Sequence, residues 1–203
     1  MTGTQMRMPE KSDSNTVNKI LMNALEHFSR FGYAGASVRE ITHASEVTKP
    51  TLYYYFKNKE ELYKKLADSC FQEVWQTIEE ASKISGTVAE RTINILRQYC
   101  KLCEEKYTVV RFVHLMLMAA ERQSPDVGVQ ELADRIRGTF AKIVQDGISS
   151  GEVDPQHAES ATYAMVAIFN LRVESLVNKF QKIVDIAIVE EAITRVLCPP
   201  SKK

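Results

Sequence analysis

The sequence predicts an all-α protein: an N-terminal three-helix head holding a helix-turn-helix, joined by a long fourth helix to a C-terminal helical body. Three observations predict it. Apolar residues recur at helical spacing along the 203-residue chain, and no strand-like alternation bounded by turns appears. Two short helices, opened by the hydroxyl residues Ser37 and Thr48, are separated by a turn of a few residues. The second runs through a basic turn into residues 58–62, which open a helix long enough to leave the head.

Taken in order, residues 1–13 are polar and aperiodic and are expected to form a disordered arm. Val17, Ile20, Leu21, Ala24, Leu25 and Phe28 then lie on one stripe of a 3.6-residue period. Ser14 or Asn15 can cap this helix, and Gly32 suits the left-handed position that ends it. Ser37-Val38-Arg39-Glu40 has the pattern of a capping box, with Ile41 and Ala44 turned inward behind it. Val47 pins the turn, Thr48 caps the third helix, and Pro50 sits in the first turn, where its missing N–H costs least. Leu52 and Phe56, four apart, form that helix's inward face. Asn58 with Glu61 repeats a cap, after which Leu62, Leu66, Cys70, Val74 and Ile78 track an apolar edge.

The body is helical wherever it can be read. Residues 88–104 form one helix, with Ile93, Leu96, Tyr99, Cys100 and Cys103 on its apolar side. Residues 109–120 are apolar nearly all round and are expected to be buried. Leu132, Ile136, Phe140, Ile143 and Val144 mark the next helix, stopped by the stretch 147–151. Asp154-Pro155 opens another that is expected to reach Phe180. A last helix from Ile183 to Leu197 ends at Cys198-Pro199-Pro200.

The chemistry concentrates in residues 48–62. Three consecutive tyrosines on a helix of about two turns, at roughly 100° per residue, cannot all face one core. Exposed aromatics beside Lys49, Lys57 and Lys59 point to a flat or polyanionic partner, with nucleic acid first. The formal net charge of zero conceals an asymmetry. Residues 1–65 carry ten Lys and Arg against seven Asp and Glu, a net +3 that the remainder offsets.

Several alternatives are weaker. No apolar run reaches the roughly 18 residues a membrane span needs, and the N-terminus has no apolar leader, so a soluble, cytoplasmic protein is expected. The four cysteines are expected to be reduced. Cys100 and Cys103 share one helix face, a spacing that a thiol or metal sensor uses, and His114 could add a ligand. The set lacks a convincing fourth member, so no metal site and no cofactor are assigned. Residues 147–151 match G-x-S-x-G, but a nucleophile elbow needs a strand before the turn, and here a helix precedes it. No catalytic residue is assigned, and an enzyme is not expected.

The segments Ser37-Val38-Arg39-Glu40-Ile41, Val47-Thr48-Lys49-Pro50-Thr51-Leu52-Tyr53-Tyr54-Tyr55-Phe56 and Lys59-Glu60-Glu61-Leu62 together resemble the signature of the tetracycline-repressor (TetR) family. The resemblance spans about residues 14–66, with two departures: Thr42 where a small residue is usual, and Glu46 in place of the usual turn glycine. A left-handed backbone at Glu46 would cost roughly 1 kcal/mol or more. Beyond the arm at 1–13, the resemblance implies a DNA-binding domain at 14–60 and a ligand-sensing, dimerising body at 61–203. It further implies a homodimer through the last two helices, a double-stranded DNA operator with two half-sites, and a small-molecule effector of unknown identity. The function it implies is a repressor released by a small, mainly apolar ligand.

Residue chemistry and resemblance point to the same expected DNA contacts: Ser37, Arg39, Thr48, Lys49, Pro50, Thr51, Tyr53, Tyr54, Tyr55 and Lys59. Tyr55 has the least defined direction. Candidate ligand-lining residues are Trp75, Tyr99, Phe112, Met116, Phe140, Tyr163, Phe169 and Asn170, with Met118 and Met165 beside them. Three other readings compete: a regulator responding through Cys100 and Cys103, a small-molecule-binding protein with a vestigial head, and a ligand-independent DNA-packing protein. Weak overall basicity disfavours the last.

Overall fold

The computed structural model describes residues 11–118, 124–178 and 185–197. The expected arm at 1–10, the helix end near Phe180, the start at Ile183 and the stop at Cys198-Pro199-Pro200 lie outside those residues. Among the described residues every regular element is helical: α1 (Lys11–Gly35), α2 (Val38–Ala44), α3 (Lys49–Tyr55), α4 (Lys59–Ser82), α5 (Val88–Glu105), α6 (Tyr107–Met118), α7 (Val129–Ser149), α8 (Ala158–Val177) and α9 (Ile186–Leu197). A 3-10 turn, Pro155–His157, precedes α8. None of these helices is long and apolar enough to cross a membrane.

The chain divides into two compact units, Met1–Asp68 with Glu121–Asp126, and Ser69–Ala120 with Val127–Lys203. The helix α4 begins in the first and continues in the second.

The first unit is built on the stripe that the periodicity marks. Ile20, Ala24 and Phe28 of α1, Ile41 of α2, Leu52 of α3 and Leu62 of α4 are all buried. Phe28 meets Tyr63 edge-on at 4.9 Å between ring centroids, and Tyr33 meets Tyr63 at 5.0 Å, so three rings fill the space between α1 and α4. Gly32 takes the left-handed φ of 67° expected of it, but a last helical segment follows to Gly35. At the other end, residues 11–13 are helical, three residues of the expected arm.

In the second unit the helix ends are tied by side chains from elsewhere in the chain. Thr87 and Glu90 form a capping box at the start of α5, and the Glu152 carboxylate accepts from Val88 N at 2.9 and 3.0 Å. Arg97 grips Glu190 of α9 through two hydrogen bonds of 2.7 and 2.9 Å. The helices α5 and α8 run side by side in the same direction. The Thr92 hydroxyl lies 3.0 Å from Met165 Sδ, and further along both helices Tyr99 packs on Phe169 at 4.9 Å.

One sequence expectation changes here. The helix α6 is not buried all round, because it packs against α5, α7 and α8 and leaves Leu115 and Met118 exposed. The helix α7 stops within the expected stretch 147–151, ending at Ser149, with Gly151 left-handed at φ 80°. Gly147 is a close-approach position. A Cβ there would stand 2.3 Å from Val88 Cγ2 and 3.1 Å from Val153 Cγ2. Gly147→Ala is therefore expected to destabilise the protein by about 1–3 kcal/mol in a urea melt. An unchanged midpoint would show that the helices separate freely at this point.

Candidate nucleic-acid interface

The helix-turn-helix is α2, the turn at residues 45–48, and α3. Ser45 N donates to Ile41 O at 2.9 Å, Glu46 N to His43 O at 3.1 Å, and Val47 N to Thr42 O at 3.0 Å. Glu46 has a φ of 54°, the left-handed backbone its glycine-like position demands. The Thr48 hydroxyl caps α3, accepting from Thr51 N at 3.3 Å and lying 2.8 Å from the Thr51 hydroxyl. These two bonds hold the side chains that open α3 in one arrangement. Asn58 Oδ1 then accepts from Glu61 N at 2.8 Å, and the Glu61 carboxylate accepts from Lys57 N at 3.3 Å, starting α4 as expected.

On α3 the division of faces is clear. Leu52 is fully buried and Phe56, just after the helix, is buried too. Tyr53 is 44% and Tyr54 79% exposed, and Thr48, Lys49 and Pro50 are exposed beside them. Thr51 is half-buried. Tyr55 is half-buried and meets the Tyr54 ring edge-on at 5.0 Å, so it braces its neighbour.

Three features were not foreseen. The capping box at Ser37 does not form: Ser37 occupies the N-cap position without a side-chain cap bond, while the Glu40 carboxylate lies 3.7 Å from His27 Nδ1. The Glu40 carboxylate lies toward α1, and the Ser37 hydroxyl is not used by the cap. Lys59 is half-buried, its ammonium 4.6 Å from the centre of the Tyr33 ring and 3.5 Å from Ala34 O. Burial holds its pKa below the usual lysine value. His43 is exposed one turn beyond the exposed Arg39 on α2, a spacing that could have singled it out.

The body candidates separate into two groups. Tyr99, Phe112, Met116, Phe140 and Phe169 are buried, and Phe169 touches both Tyr99 and Phe140, the latter at 5.7 Å. Met165 is buried with them. Trp75 is half-buried, with the Arg135 guanidinium 5.9 Å from its ring centre. Tyr163 and Asn170 do not join this group. Met165, Phe169 and Val173 repeat every four residues along the inner face of α8, and Tyr163, Ala167, Asn170 and Leu171 occupy its exposed side. Met118 is also outside the core.

The Cys70 and Cys103 thiols are displaced away from activation. Burial pushes the Cys103 thiol above its ordinary pKa, and pushes that of Cys70 up to about 12. Reactive cysteines show the opposite displacement. Among the described residues, no group of three His, Cys, Asp or Glu side chains could hold a metal ion.

Against known proteins, a family model described as "Bacterial regulatory proteins, tetR family" matches residues 20–66. The chain is 26% identical over 157 residues to the HTH-type transcriptional regulator YhgD of Bacillus subtilis (strain 168), covering 74% of this chain and 78% of that one. Over 54 residues it is 41% identical to IcaR of Staphylococcus epidermidis, the HTH-type negative transcriptional regulator of the biofilm operon icaADBC, covering 27% of this chain and 29% of that one. Among solved structures, the transcriptional regulator FadR of Bacillus subtilis in complex with stearoyl-CoA superposes with a TM-score of 0.71. It is 22% identical, with 91% of this chain and 99% of that one covered.

Proposed function

We propose that this chain, which matches the tetR-family model over residues 20–66 and resembles HTH-type regulators beyond it, is a repressor, released from its operator by a small, mainly apolar ligand. It is a DNA-binding transcriptional regulator and not an enzyme. The proposal divides the chain into a DNA-binding domain at 14–60 and an effector and dimerisation body at 61–203.

One observation carries the DNA half: α3 buries Leu52 and exposes Tyr53 and Tyr54 beside an exposed, capped N-terminus. Helices presented this way place their first residues against base edges. Thr48 to Thr51 are the proposed groove readers, with the Thr51 methyl and Pro50 ring suited to a thymine methyl. Tyr53, Tyr54 and Ser37 are proposed to bond phosphate through their hydroxyls, and Arg39 to reach a guanine. Lys59 adds positive charge from its seat on Tyr33, and Tyr55 supports Tyr54.

Two further parts complete the proposal. The exposed apolar side of α8, with Tyr163 53% and Leu171 52% exposed, and Ile188 of α9 would meet a second copy, giving two heads for two half-sites. The buried ring cluster of Tyr99, Phe140 and Phe169, with Met165 and Met116, supplies apolar, adaptable walls for a ligand. FadR in complex with stearoyl-CoA makes an acyl chain the first ligand to try. Such a ligand induces only if it binds the DNA-incompetent state more tightly, with α4 the segment through which body and head exchange strain.

The experiment is footprinting on DNA upstream of the protein's own coding region, and on sequences selected from a random pool, across a salt series. Two protected half-sites and steep salt dependence are expected. Tyr54→Ala is expected to lose about 1–2 kcal/mol of operator binding. Binding by that variant equal to wild type would remove Tyr54 from the interface.

A further inference from the structure

The turn between α2 and α3 carries an unusual combination. Glu46 is the non-glycine residue with positive φ among the described residues, at 54°. For a side chain with a Cβ this backbone is disfavoured, so something beyond local preference must hold it. The turn's backbone hydrogen bonds, Glu46 N to His43 O and Val47 N to Thr42 O, supply part of that hold, and a side chain of α1 adds to it. Lys19, on the exposed side of α1, donates to the Glu46 carboxylate 27 residues away. Lys19 holds the Glu46 carboxyl below its ordinary pKa, through the hydrogen bond first and the charge second. The pair is exposed to solvent, at 43% for Lys19 and 78% for Glu46.

Glu46 stands two residues before Thr48, the cap that starts α3. Its backbone angles therefore set the direction in which α3 leaves the turn. We infer that Lys19 is a positioning residue for DNA reading: by clamping Glu46 to α1 it fixes the left-handed turn and so the angle at which α3 meets the groove. This rests on α3 being the reading helix. With glycine at 46 the backbone would reach the same angles without help, and the clamp would be unnecessary. Lys19 thus matters to operator binding only because residue 46 is glutamate. An exposed ion pair is also salt-sensitive, so the clamp loosens as ionic strength rises.

The test uses the full-length protein and an operator fragment that the wild type selects from random DNA. Affinity and melting temperature are measured for Lys19→Met, Lys19→Arg, Glu46→Gly and the Lys19→Met/Glu46→Gly pair. Lys19→Met is expected to weaken operator binding about two- to fivefold. Lys19→Arg should restore it, and Glu46→Gly should bind at least as well as wild type. The double variant should bind as Glu46→Gly does, because the clamp has nothing left to hold. If the double variant is weaker than Glu46→Gly by the same factor, Lys19 touches DNA phosphate directly and the inference is overturned. A lower melting temperature for Lys19→Met with unchanged affinity also overturns it, since that is a purely structural role. Failure of the wild type to select any sequence would instead remove the underlying assignment of α3.

Discussion

Replacing Phe28 by alanine is expected to destabilise the head by about 3–5 kcal/mol and to abolish operator binding at ordinary temperatures. Phe28 is essentially inaccessible, and its ring meets Tyr63 of α4 edge-on while stacking toward Tyr33 at 6.1 Å. Removing it empties the space where α1 and α4 meet and leaves the Tyr63 ring without one edge-on neighbour from α1. The head is small, and Ile20, Ala24, Ile41, Leu52 and Leu62 cannot close that gap without moving the helices that carry them. Denaturant unfolding and operator affinity are the measurements. Phe28→Leu, which keeps most of the volume, should cost much less. If the alanine variant loses under about 1 kcal/mol, the three-ring cluster is not the keystone of the head.

Introducing a charge at Leu171 is expected to break the proposed dimer. On the exposed side of α8, Tyr163, Ala167, Asn170 and Leu171 form one stripe, and Leu171 is half exposed in the single chain. Leu171→Glu would bring two carboxylates into an apolar two-fold contact, where desolvation and like-charge repulsion together cost about 2–4 kcal/mol or more. Light scattering on a sizing column should show monomer at concentrations where wild type is dimer. Operator affinity should fall by about a hundredfold or more, because the two half-sites are then bound independently. A Leu171→Glu variant that stays dimeric would place the interface on another face.

Much of the head was legible in the residues alone. The stripe from Ile20 to Phe28, the Thr48 cap, Leu52 facing in with Tyr53 and Tyr54 facing out, and the Asn58–Glu61 start of α4 are all found in the structure. Each depends on side chains within one or two turns of one another, where spacing and backbone geometry suffice. Even the left-handed turn at Glu46 could be anticipated, from a glutamate standing at a glycine position.

The body was less legible because α8 is apolar on several sides. Periodicity then identifies a helix but not its inner face, and Tyr163 and Asn170, grouped with buried residues, are exposed. Ser37 shows the complementary limit: the capping pattern does not form, and the Glu40 carboxylate lies near His27 of α1 instead.

The local chain chemistry of this protein settles that Thr48 caps α3, that Asn58 starts α4 and which side of α3 is exposed. The tertiary structure alone decides that Lys59 rests on Tyr33, that Lys19 clamps Glu46, that Gly147 lies against Val88, and which face of α8 is exposed. The physical reason is range. Caps and amphipathic stripes are written within a few residues, whereas the contacts of Lys19, Lys59 and Gly147 join residues 25 or more apart, and only the packed chain brings those together.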